Sequence, residues 1–407
     1  MTKRGLSDAA RRMKPAVFAE LQSRIDALAA RGEELIPLQI GDTHLPPPDG
    51  ARRVLGGLDP EDASLHRYGA TAGLAALREA IARVLARRGL DVDPASEVLV
   101  GNGGTHALYC AARVVLDPGA DVILASPYWP LAPGIFTACG AVPAEAPLTQ
   151  RLYADPSLDP AALLREALTP RTKALYFISP NNPDGKVLSS AQLERIAAFA
   201  REHDLWVFAD EVYAEVVFDG TPSAASIARL PGMRERTIAL HSLSKSHALA
   251  GLRVGFVTAP EPVVTAARRV STHTAFNVSV AMQRAAAAAL ADDAFPASAR
   301  DVYRGARDAA ASALAGAPIR FHVAEGATYL FLDFEPAIAK RGGERPLYGI
   351  LERAVDRGVL LAPGDAFGSA YGASFARLCY TSVPVDRVVL GIERLCSAVD
   401  AFLDDRP

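Results

Sequence analysis

The sequence is poor in cysteine and carries no excess of charge of either sign. Its 407 residues include 43 basic and 46 acidic side chains, for a formal net charge of −3 at pH 7. Such an even balance predicts neither a nucleic-acid-binding surface nor a membrane-binding one. The eight histidines are not spaced as paired ligands, so we expect no metal site. The four cysteines are also scattered without metal-type spacing: Cys110, Cys139, Cys379 and Cys396.

Long apolar runs are missing as well. No apolar stretch approaches the ~20 residues of a membrane span. The opening segment from Met1 to Gly5 has no apolar core after its charges, so we expect no secretory signal. Half of the residues are hydrophobic and 22% are charged, as in soluble globular proteins. These features predict a cytoplasmic protein with reduced, mostly buried thiols, long enough for two domains.

Short apolar strands alternate with helices from about Glu97 to Val257. Continuous apolar strands separated by helices indicate a mostly parallel sheet with helices on both faces, which is an α/β fold. Ligands of such sheets bind at the carboxyl ends of the strands. We predict strands at 98–100, 122–124, 174–178, 205–209, 238–240 and 254–257, and helices at 74–88, 105–116, 161–167 and 190–203.

The composition and the predicted order of helices and strands change from about Val280. Alanine-rich stretches at 280–291 and 297–314 predict helices, 329–334 and 375–382 predict strands, and a last helix is expected at 386–402. An amphipathic helix is also predicted at 9–31, because Val17, Leu21, Ile25 and Leu28 share one face. We therefore predict a large domain at 50–285 and a smaller α+β domain formed by both chain ends, 1–49 and 286–407.

One strand end combines a lysine with hydroxyl groups. Ser242, Ser244 and Ser246 flank Lys245, and Arg253 follows eight residues after that lysine. A lysine just past a buried strand can have a lowered pKa, which makes its amine a nucleophile toward carbonyls. Hydroxyls and an arginine are suited to phosphate. The cluster indicates a lysine-bound aldehyde that carries a phosphate, namely pyridoxal phosphate; a solvated surface lysine is the alternative.

Polar residues follow the other strands too. The turn from Gly101 to Thr105 joins a strand to a helix, where free N–H groups favour phosphate, although an ordinary tight loop has the same composition. Tyr128 and Trp129 could stack on a flat cofactor or pack in the core. The turn around Asn182 offers an amide donor, in a sequence whose proline and glycine are turn residues in any case.

Two charged residues fall within apolar strands. Asp210 ends the strand at 205–209, and a carboxylate there needs a positive partner such as a protonated pyridine nitrogen. Tyr213 follows it and could bond a ring oxygen. Arg377 is flanked by apolar residues and suits bidentate binding of a carboxylate. The alternatives are a helix cap or a structural ion pair for Asp210, and a structural ion pair for Arg377.

In this order and spacing, the residues from about Ile40 to Ser382 resemble the class I and II aminotransferases, the fold-type-I enzymes that use pyridoxal phosphate. The resemblance implies that Lys245 forms the Schiff base and moves the proton from the substrate Cα. It implies that Asp210 pairs with the pyridine nitrogen, and that Asn182 and Tyr213 donate to the 3′ oxygen of the ring. Lys245, Asp210 and Tyr213 are thus the expected catalytic residues.

The resemblance also implies the remaining contacts of the site. The phosphate is expected on Gly104, Thr105, Ser242 and Arg253. Trp129 takes the position of the stacking aromatic, with Tyr128 the weaker candidate. Tyr68 corresponds to the tyrosine that reaches the phosphate of the neighbouring subunit, which implies a homodimer with shared active sites. The α-carboxylate of the substrate is expected on Gly41, Asn182 and Arg377.

Three positions depart from the pattern of the family. Asp184 stands where threonine is commonest, and His44 replaces part of a plainer turn on the substrate side. Thr105 stands where some relatives carry a lysine for a distal carboxylate, and rings are available instead at Tyr128, Trp129 and Tyr329. We therefore expect neutral or aromatic amino acids to be better donors than aspartate. The expected reaction moves an amino group from an L-amino acid to a 2-oxo acid. The alternatives are a β-lyase or cyclase of the same fold, and a catalytically inactive binding or regulatory protein.

Overall fold

A seven-stranded sheet organises residues 98–258 of the protein. The computed structural model describes residues 5–13, 20–221 and 223–404. The strand order is β2-β8-β7-β6-β5-β3-β4, and β8 is antiparallel to both of its neighbours while the other pairs are parallel. The strands are β2 (Val98–Asn102), β3 (Asp121–Ser126), β4 (Val142–Pro147), β5 (Thr172–Ile178), β6 (Trp206–Asp210), β7 (Thr237–Ser242) and β8 (Val254–Thr258).

Helices cover both faces of this sheet, which explains why the middle residues of its inner strands are apolar on both faces. Leu175 and Phe177 of β5 pack into one hydrophobic core, with Ile196 of the helix at 190–202. Tyr176 and Ile178 of the same strand belong to a second core on the opposite face. Successive side chains of a strand point to opposite faces, so a strand buried on both sides cannot alternate with polar residues. The predicted α/β class is therefore confirmed.

Helices lie close to the positions predicted at 74–88, 105–116, 161–167 and 190–203, and others were not predicted, such as those at 132–138 and 261–274. The first half of the chain contains α1 (Asp8–Arg12), α2 (Gln22–Ala30), α3 (Asp49–Gly56), α4 (Ala75–Arg87), α5 (Gly103–Val115), α6 (Ala132–Ala138), α7 (Thr149–Ala154), α8 (Pro160–Arg165) and α9 (Ser190–Glu202). The second half contains α10 (Leu243–Ser246), α11 (Glu261–Thr274), α12 (Val280–Ala289), α13 (Phe295–Ala313), α14 (Glu335–Arg341), α15 (Pro346–Asp356) and α16 (Val385–Asp404).

The edge strand β4 was not predicted. Its sequence contains Pro143 and Pro147, and proline removes a backbone donor that a central strand needs. In the structure β4 pairs only with β3 and forms the edge of the sheet, where proline is tolerated. The two prolines are thus a sign of the edge position and not of a loop.

Smaller sheets and long helices form a separate layer. Strands β9 (Tyr329–Asp333), β11 (Ala362–Pro363) and β12 (Phe375–Cys379) make an antiparallel sheet, and β1 (Ile36–Pro37) pairs with β10 (Val359–Leu360). Their apolar side chains share one core with α13, α15 and α16. Parts of the chain before residue 49 and after 286 therefore pack together in this layer.

The predicted N-terminal helix at 9–31 is interrupted. Helix α1 ends at Arg12, because Met13 takes an extended backbone conformation, and Pro15 follows two residues later. Helix α2 begins at Gln22, and Leu28 is its buried residue. Val17, which was assigned to the apolar face, lies outside the described residues. Within the described part of the chain, no helix is both long enough and apolar enough to cross a membrane.

Candidate active site

The carboxyl ends of five strands meet at one edge of the central sheet and border a cavity of about 290 Å³. Strands β2, β3, β5, β6 and β7 all end there, and the antiparallel β8 begins there. This arrangement brings the start of α5 beside Arg253, the residue that precedes β8. A larger groove of about 540 Å³ opens near the start of β7, but none of the predicted site residues lines it.

Lys245 enters the cavity from the short helix α10. Ser242 caps this helix by accepting a hydrogen bond from the backbone N–H of Ser244 at 3.1 Å, which turns the chain sharply after β7. The ammonium group of Lys245 donates to the backbone carbonyl of Gly41. Behind it, the Tyr303 hydroxyl donates to the Lys245 carbonyl at 3.2 Å. The lysine is half-buried and is held at both its backbone and its amine.

The glycine-rich turn after β2 lies directly against Arg253. The backbone N–H of Gly103 donates to the carbonyl of Arg253 at 2.7 Å. Gly103 has φ +74°, and a Cβ there would collide with the Arg253 guanidinium. The side chain of Asn102 does not cap α5. The first turn of this 13-residue helix therefore presents backbone N–H groups beside an arginine and the hydroxyls after β7, which is an anion site.

Asp210 ends β6 and is only 3% exposed. Its carboxylate accepts hydrogen bonds from the Tyr176 hydroxyl at 2.8 Å and from the Val212 backbone N–H at 3.2 Å. Desolvation by burial raises the pKa of Asp210 to about 7, although both hydrogen bonds act in the opposite direction. No cationic side chain of the described residues pairs with it. The site thus holds a buried carboxylate that requires a positive partner.

Two tyrosines form a hydrogen-bonded pair on the opposite wall. The hydroxyls of Tyr213 and Tyr329 are 2.7 Å apart, and both rings are buried. Burial raises the pKa of Tyr213 well above its ordinary value. A Cβ at position 41 would overlap the Tyr329 hydroxyl, so the close approach of this chain segment requires glycine. Tyr329 therefore contacts both Tyr213 and Gly41, and the carbonyl of Gly41 accepts the hydrogen bond from Lys245.

Arg377 is oriented by contacts on three sides. Its Nη1 donates to Asn182 Oδ1 at 2.8 Å, and its Nη2 donates to the Gln39 carbonyl at 2.5 Å. The guanidinium lies 4.4 Å from the Tyr329 ring centroid and 4.8 Å from that of Phe367. Its buried Nε has no hydrogen-bond partner in the described structure. A rigid, desolvated guanidinium of this kind is suited to a carboxylate ligand.

The turn that carries Asn182 is held by the buried Asp184. This carboxylate accepts hydrogen bonds from Thr149 at 2.5 Å, from Gln150 at 2.9 Å and from Asn181 at 2.8 Å. Asp184 does not line the cavity. A local hydrogen-bond network around Asp184 therefore keeps this turn in place.

Most of the predicted site residues line this one cavity. They are Gly41, Gly104, Thr105, Trp129, Asn182, Asp210, Tyr213, Ser242, Lys245, Arg253 and Arg377. The structure does not bring Tyr68 to the cavity of its own chain: Tyr68 is 84% exposed and packs against Phe276 at a centroid distance of 4.6 Å. His44 contacts the Thr381 carbonyl at 3.1 Å and does not line the cavity. Tyr128 is buried and does not line it either.

Sequence reasoning missed one polar partner and undervalued another. Tyr176 was treated as one more apolar residue of its strand, although it is the only residue of Ala174–Ile178 that has a side-chain hydroxyl. Tyr329 was taken only as a ring that could contact substrate, and its bond to Tyr213 was not foreseen. A buried tyrosine normally finds a hydrogen-bond partner, which is the signal that could have identified Tyr176.

These features fit pyridoxal phosphate. The anion site at α5 suits a phosphate, the buried Asp210 suits a protonated ring nitrogen, and the amine of Lys245 lies in the same cavity. Gly103 and Gly255 leave room for the closely packed backbone of the phosphate turn, because a Cβ at either position would collide with neighbouring atoms. The residues present are therefore those that this cofactor needs.

Comparison with known proteins agrees with this geometry. The family model described as aminotransferase class I and II matches residues 34–395. The chain is 35% identical to an arginine–pyruvate transaminase of Pseudomonas aeruginosa over 86% of both chains. It is 32% identical to a probable aspartate/prephenate aminotransferase of Thermus aquaticus over 98% of both. A single mutant of the aspartate aminotransferase of Thermus thermophilus has a similar structure, with TM-score 0.86, 30% identity and coverage of 97% of this chain and all of the other.

Proposed function

The chain belongs to the class I and II aminotransferases, a family of pyridoxal-phosphate enzymes, and on that premise we propose that it binds this cofactor through Lys245 and prefers neutral or aromatic amino donors. Its reaction moves an amino group to a 2-oxo acid. The observation that carries the proposal is the meeting of Lys245, Asp210 and Arg377 in one cavity. The matched relatives are named for different substrates, so the proposed substrate class rests on the residues of the site.

The phosphate of the cofactor is assigned to the start of α5 and to the residues after β7. Gly104 and Thr105 contribute the helix N-terminus, Ser242 contributes a hydroxyl and Arg253 contributes the positive charge. Trp129 borders the same cavity and is assigned as the stacking ring. The cofactor, when bound, supplies an aldehyde for the lysine and an electron-withdrawing ring that delocalises charge from the substrate Cα.

The polar groups around the ring hold it in one protonation state. Asp210 keeps a proton on the ring nitrogen, because a buried carboxylate is stabilised by an adjacent cation. Tyr213 is assigned as a donor to the 3′ oxygen of the ring, as is the amide nitrogen of Asn182, whose Oδ1 already accepts from Arg377. Lys245 moves the proton at the substrate Cα, since it is the amine nearest to the ring in this assignment.

Arg377 is assigned to the α-carboxylate of the substrate. It offers a planar pair of donors in a buried position, and Asn182 and the backbone of Gly41 border the same space. Holding the carboxylate and the cofactor together fixes the geometry of the Cα proton, which is the main contribution of the protein in this type of catalysis. These residues orient the substrate and leave the electronic chemistry to the ring.

Among the described residues of one chain, the cavity has no charged side chain left for a distal group of the substrate. Its cationic lining residues are Lys245, Arg253 and Arg377, all assigned above, and its carboxylate is Asp210. A second carboxylate, as in aspartate, finds no further cation there, and a guanidinium, as in arginine, finds no further anion. Aromatic rings are present instead, which favours neutral and aromatic side chains.

Assembly, location and domain division extend the same proposal. Tyr68 is exposed on its own chain, which suits a residue that reaches the phosphate of a neighbouring subunit. We therefore propose a homodimer with shared active sites. We also propose a cytoplasmic protein, with the large domain at 50–285 and the small domain at 1–49 and 286–407. The β-lyase or cyclase alternative is not favoured, because the matched relatives are named as aminotransferases.

A donor panel at fixed 2-oxoglutarate tests the substrate assignment. We expect kcat/KM for phenylalanine, tyrosine and neutral amino acids to exceed that for aspartate by more than about tenfold, since one missing charge-assisted contact costs about 2–3 kcal/mol. Thr105→Lys should raise kcat/KM for aspartate, whereas the uncharged Thr105→Met should not. If aspartate is the best donor of the wild type, a distal cation exists elsewhere, and His44 is the first residue to substitute. Release of ammonia and pyruvate would identify a lyase.

A further inference from the structure

The hydroxyl of Tyr176 is a polar group within an apolar core, and it is hydrogen-bonded to Asp210. In the register of the sheet, Tyr176 of β5 lies opposite Phe208 of β6, and Ile178 lies opposite Asp210. Residues two apart on a strand share a face, so Tyr176 and Asp210 are diagonal neighbours on the same face. A tyrosine is long enough to span that diagonal, and its hydroxyl oxygen lies 2.8 Å from Asp210 Oδ2.

The tyrosine ring is locked in this position by aromatic packing. The Phe136 ring packs edge-on against Tyr176 at 5.6 Å between centroids, and against Phe208 at 5.3 Å. Tyr176 is fully buried, with no solvent exposure. Its hydroxyl is therefore shielded from bulk solvent, and the packed ring keeps the hydroxyl oxygen beside Asp210.

Two titratable side chains close to Asp210 in the sequence, those of Glu211 and Tyr213, have other partners. Glu211 points to Arg88, with 2.6 Å between the ion-paired atoms. The hydroxyl of Tyr213 is bonded to that of Tyr329. In the described structure, the Asp210 carboxylate accepts hydrogen bonds from two donors, the backbone N–H of Val212 and the hydroxyl of Tyr176. Glu211 adds a negative charge that disfavours ionised Asp210, and Tyr176 opposes it.

We propose that Tyr176 is a positioning residue that orients the Asp210 carboxylate and makes it a weaker base, so that the proton between Asp210 and the cofactor ring stays on the ring nitrogen. The inference rests on the proposed assignment of Asp210 to that nitrogen. Two tautomers compete in a buried acid–pyridine pair: carboxylate with ring cation, and carboxylic acid with neutral ring. A phenol that donates to the carboxylate stabilises the charged tautomer. The charged ring is the stronger electron acceptor, so Tyr176 acts on the rate through Asp210.

Tyr176→Phe tests this role, because it keeps the ring and removes the hydroxyl. Tyr380→Phe is the matched control: Tyr380 is also fully buried, and its hydroxyl donates one hydrogen bond, to the Ala327 carbonyl at 2.9 Å. Both variants and the wild type are loaded with pyridoxal phosphate labelled with nitrogen-15 in the ring. The nitrogen chemical shift, the dissociation constant of the cofactor, and kcat and KM for one donor are then measured.

The expected signature differs from that of a structural change. In Tyr176→Phe the nitrogen resonance moves toward the position of an unprotonated pyridine, kcat falls about tenfold or more, and KM for the donor changes less than about twofold. In Tyr380→Phe the resonance and kcat stay at the wild-type values. A Tyr176→Phe protein whose resonance and kcat match those of Tyr380→Phe overturns the proposal.

A second substitution decides the matter if Tyr176→Phe does not fold. Fluorotyrosine incorporated at position 176 keeps the shape of the ring and is a stronger donor, so the nitrogen resonance should stay at the wild-type value if the ring is already fully protonated, and move toward the fully protonated value if it is not. Movement toward the value of an unprotonated pyridine overturns the proposal. A wild type that binds the cofactor and accepts no amino donor refutes the proposed substrate chemistry, while the nitrogen resonance still decides the role of Tyr176.

Discussion

Asp210 makes the stability of the cofactor-free protein depend on pH in a direction opposite to that of an ordinary paired carboxylate. Burial raises its pKa from the ordinary value of 3.8 to about 7. Between about pH 4 and pH 7, Asp210 is therefore protonated in the folded protein and ionised in the unfolded chain. In this range the folded state binds more protons, so the free energy of unfolding falls as pH rises.

The magnitude follows from the size of the pKa shift. A change of about three units, from 3.8 to about 7, corresponds to at most about 4 kcal/mol at 1.36 kcal/mol per unit. Water penetration and relaxation reduce such values, so we expect about 2–4 kcal/mol. This contribution is fully present below pH of about 4, is lost as pH rises through about 7, and is constant above that value.

Urea unfolding of the cofactor-free wild type and of Asp210→Asn isolates this contribution. Asparagine keeps the shape and cannot ionise, so the wild type should gain stability relative to Asp210→Asn as pH is lowered from 8 to 5. The measurement is made at one protein concentration, because association shifts apparent stability. Asp155→Asn is the control: Asp155 is exposed, and hydrogen bonds from Ser157 lower its pKa below the ordinary value of 3.8, so the difference between this variant and the wild type should stay constant from about pH 8 to pH 5.

Two results would contradict this reasoning. A wild type that loses stability relative to Asp210→Asn on acidification would mean that Asp210 has a cationic partner in the cofactor-free protein. A difference that does not change with pH would mean that the carboxylate is hydrated. If the reasoning holds, added cofactor should stabilise the wild type at pH 8 far more than Asp210→Asn, because the ring supplies the missing positive charge.

Further predictions concern the amine, the glycine of the substrate side and the exposed tyrosine. Lys245→Ala should no longer be labelled by borohydride reduction of the cofactor complex, and label on any other lysine of the wild type would refute the assignment. Gly41→Ala should raise KM for the amino donor about tenfold or more, because the added Cβ overlaps the Tyr329 hydroxyl. Adding Tyr329→Phe to this variant should lower KM part of the way back to the wild-type value. A KM that does not fall would point to another clash. Tyr68→Ala should weaken cofactor binding about tenfold in a dimer of unchanged mass, and unchanged affinity would exclude a phosphate contact.

Local sequence patterns were sufficient for the class of the fold and for most of the cavity lining. Each strand that reaches the site is an apolar run followed by a polar cluster, as at Asp210 and at Lys245. Because parallel strands end at the same edge, Asn182, Asp210 and Lys245 could be assigned to one site from the sequence. Gly41 was assigned through the resemblance to the family. The periodicity of a strand buried on both faces is written in consecutive residues and needs no tertiary information.

Features that depend on an element's neighbours could not be predicted. Strand β4 contains two prolines and was not predicted, and only the strand order shows that it lies at the edge of the sheet, where proline is tolerated. The helix predicted at 9–31 is broken at Met13, where a local extended conformation overrides the amphipathic pattern.

By itself, the sequence determined which chemical groups this protein brings to its site, since the residue types at positions 245, 210 and 377 supply an amine, a carboxylate and a guanidinium. Tertiary structure alone decided how those groups are held: Tyr176 against Asp210, and Tyr329 against Gly41 and Arg377. Such contacts join residues on different elements through side-chain reach and strand register, and a difference of a few ångströms decides whether they exist. Neither quantity is encoded in the spacing of residues along the chain.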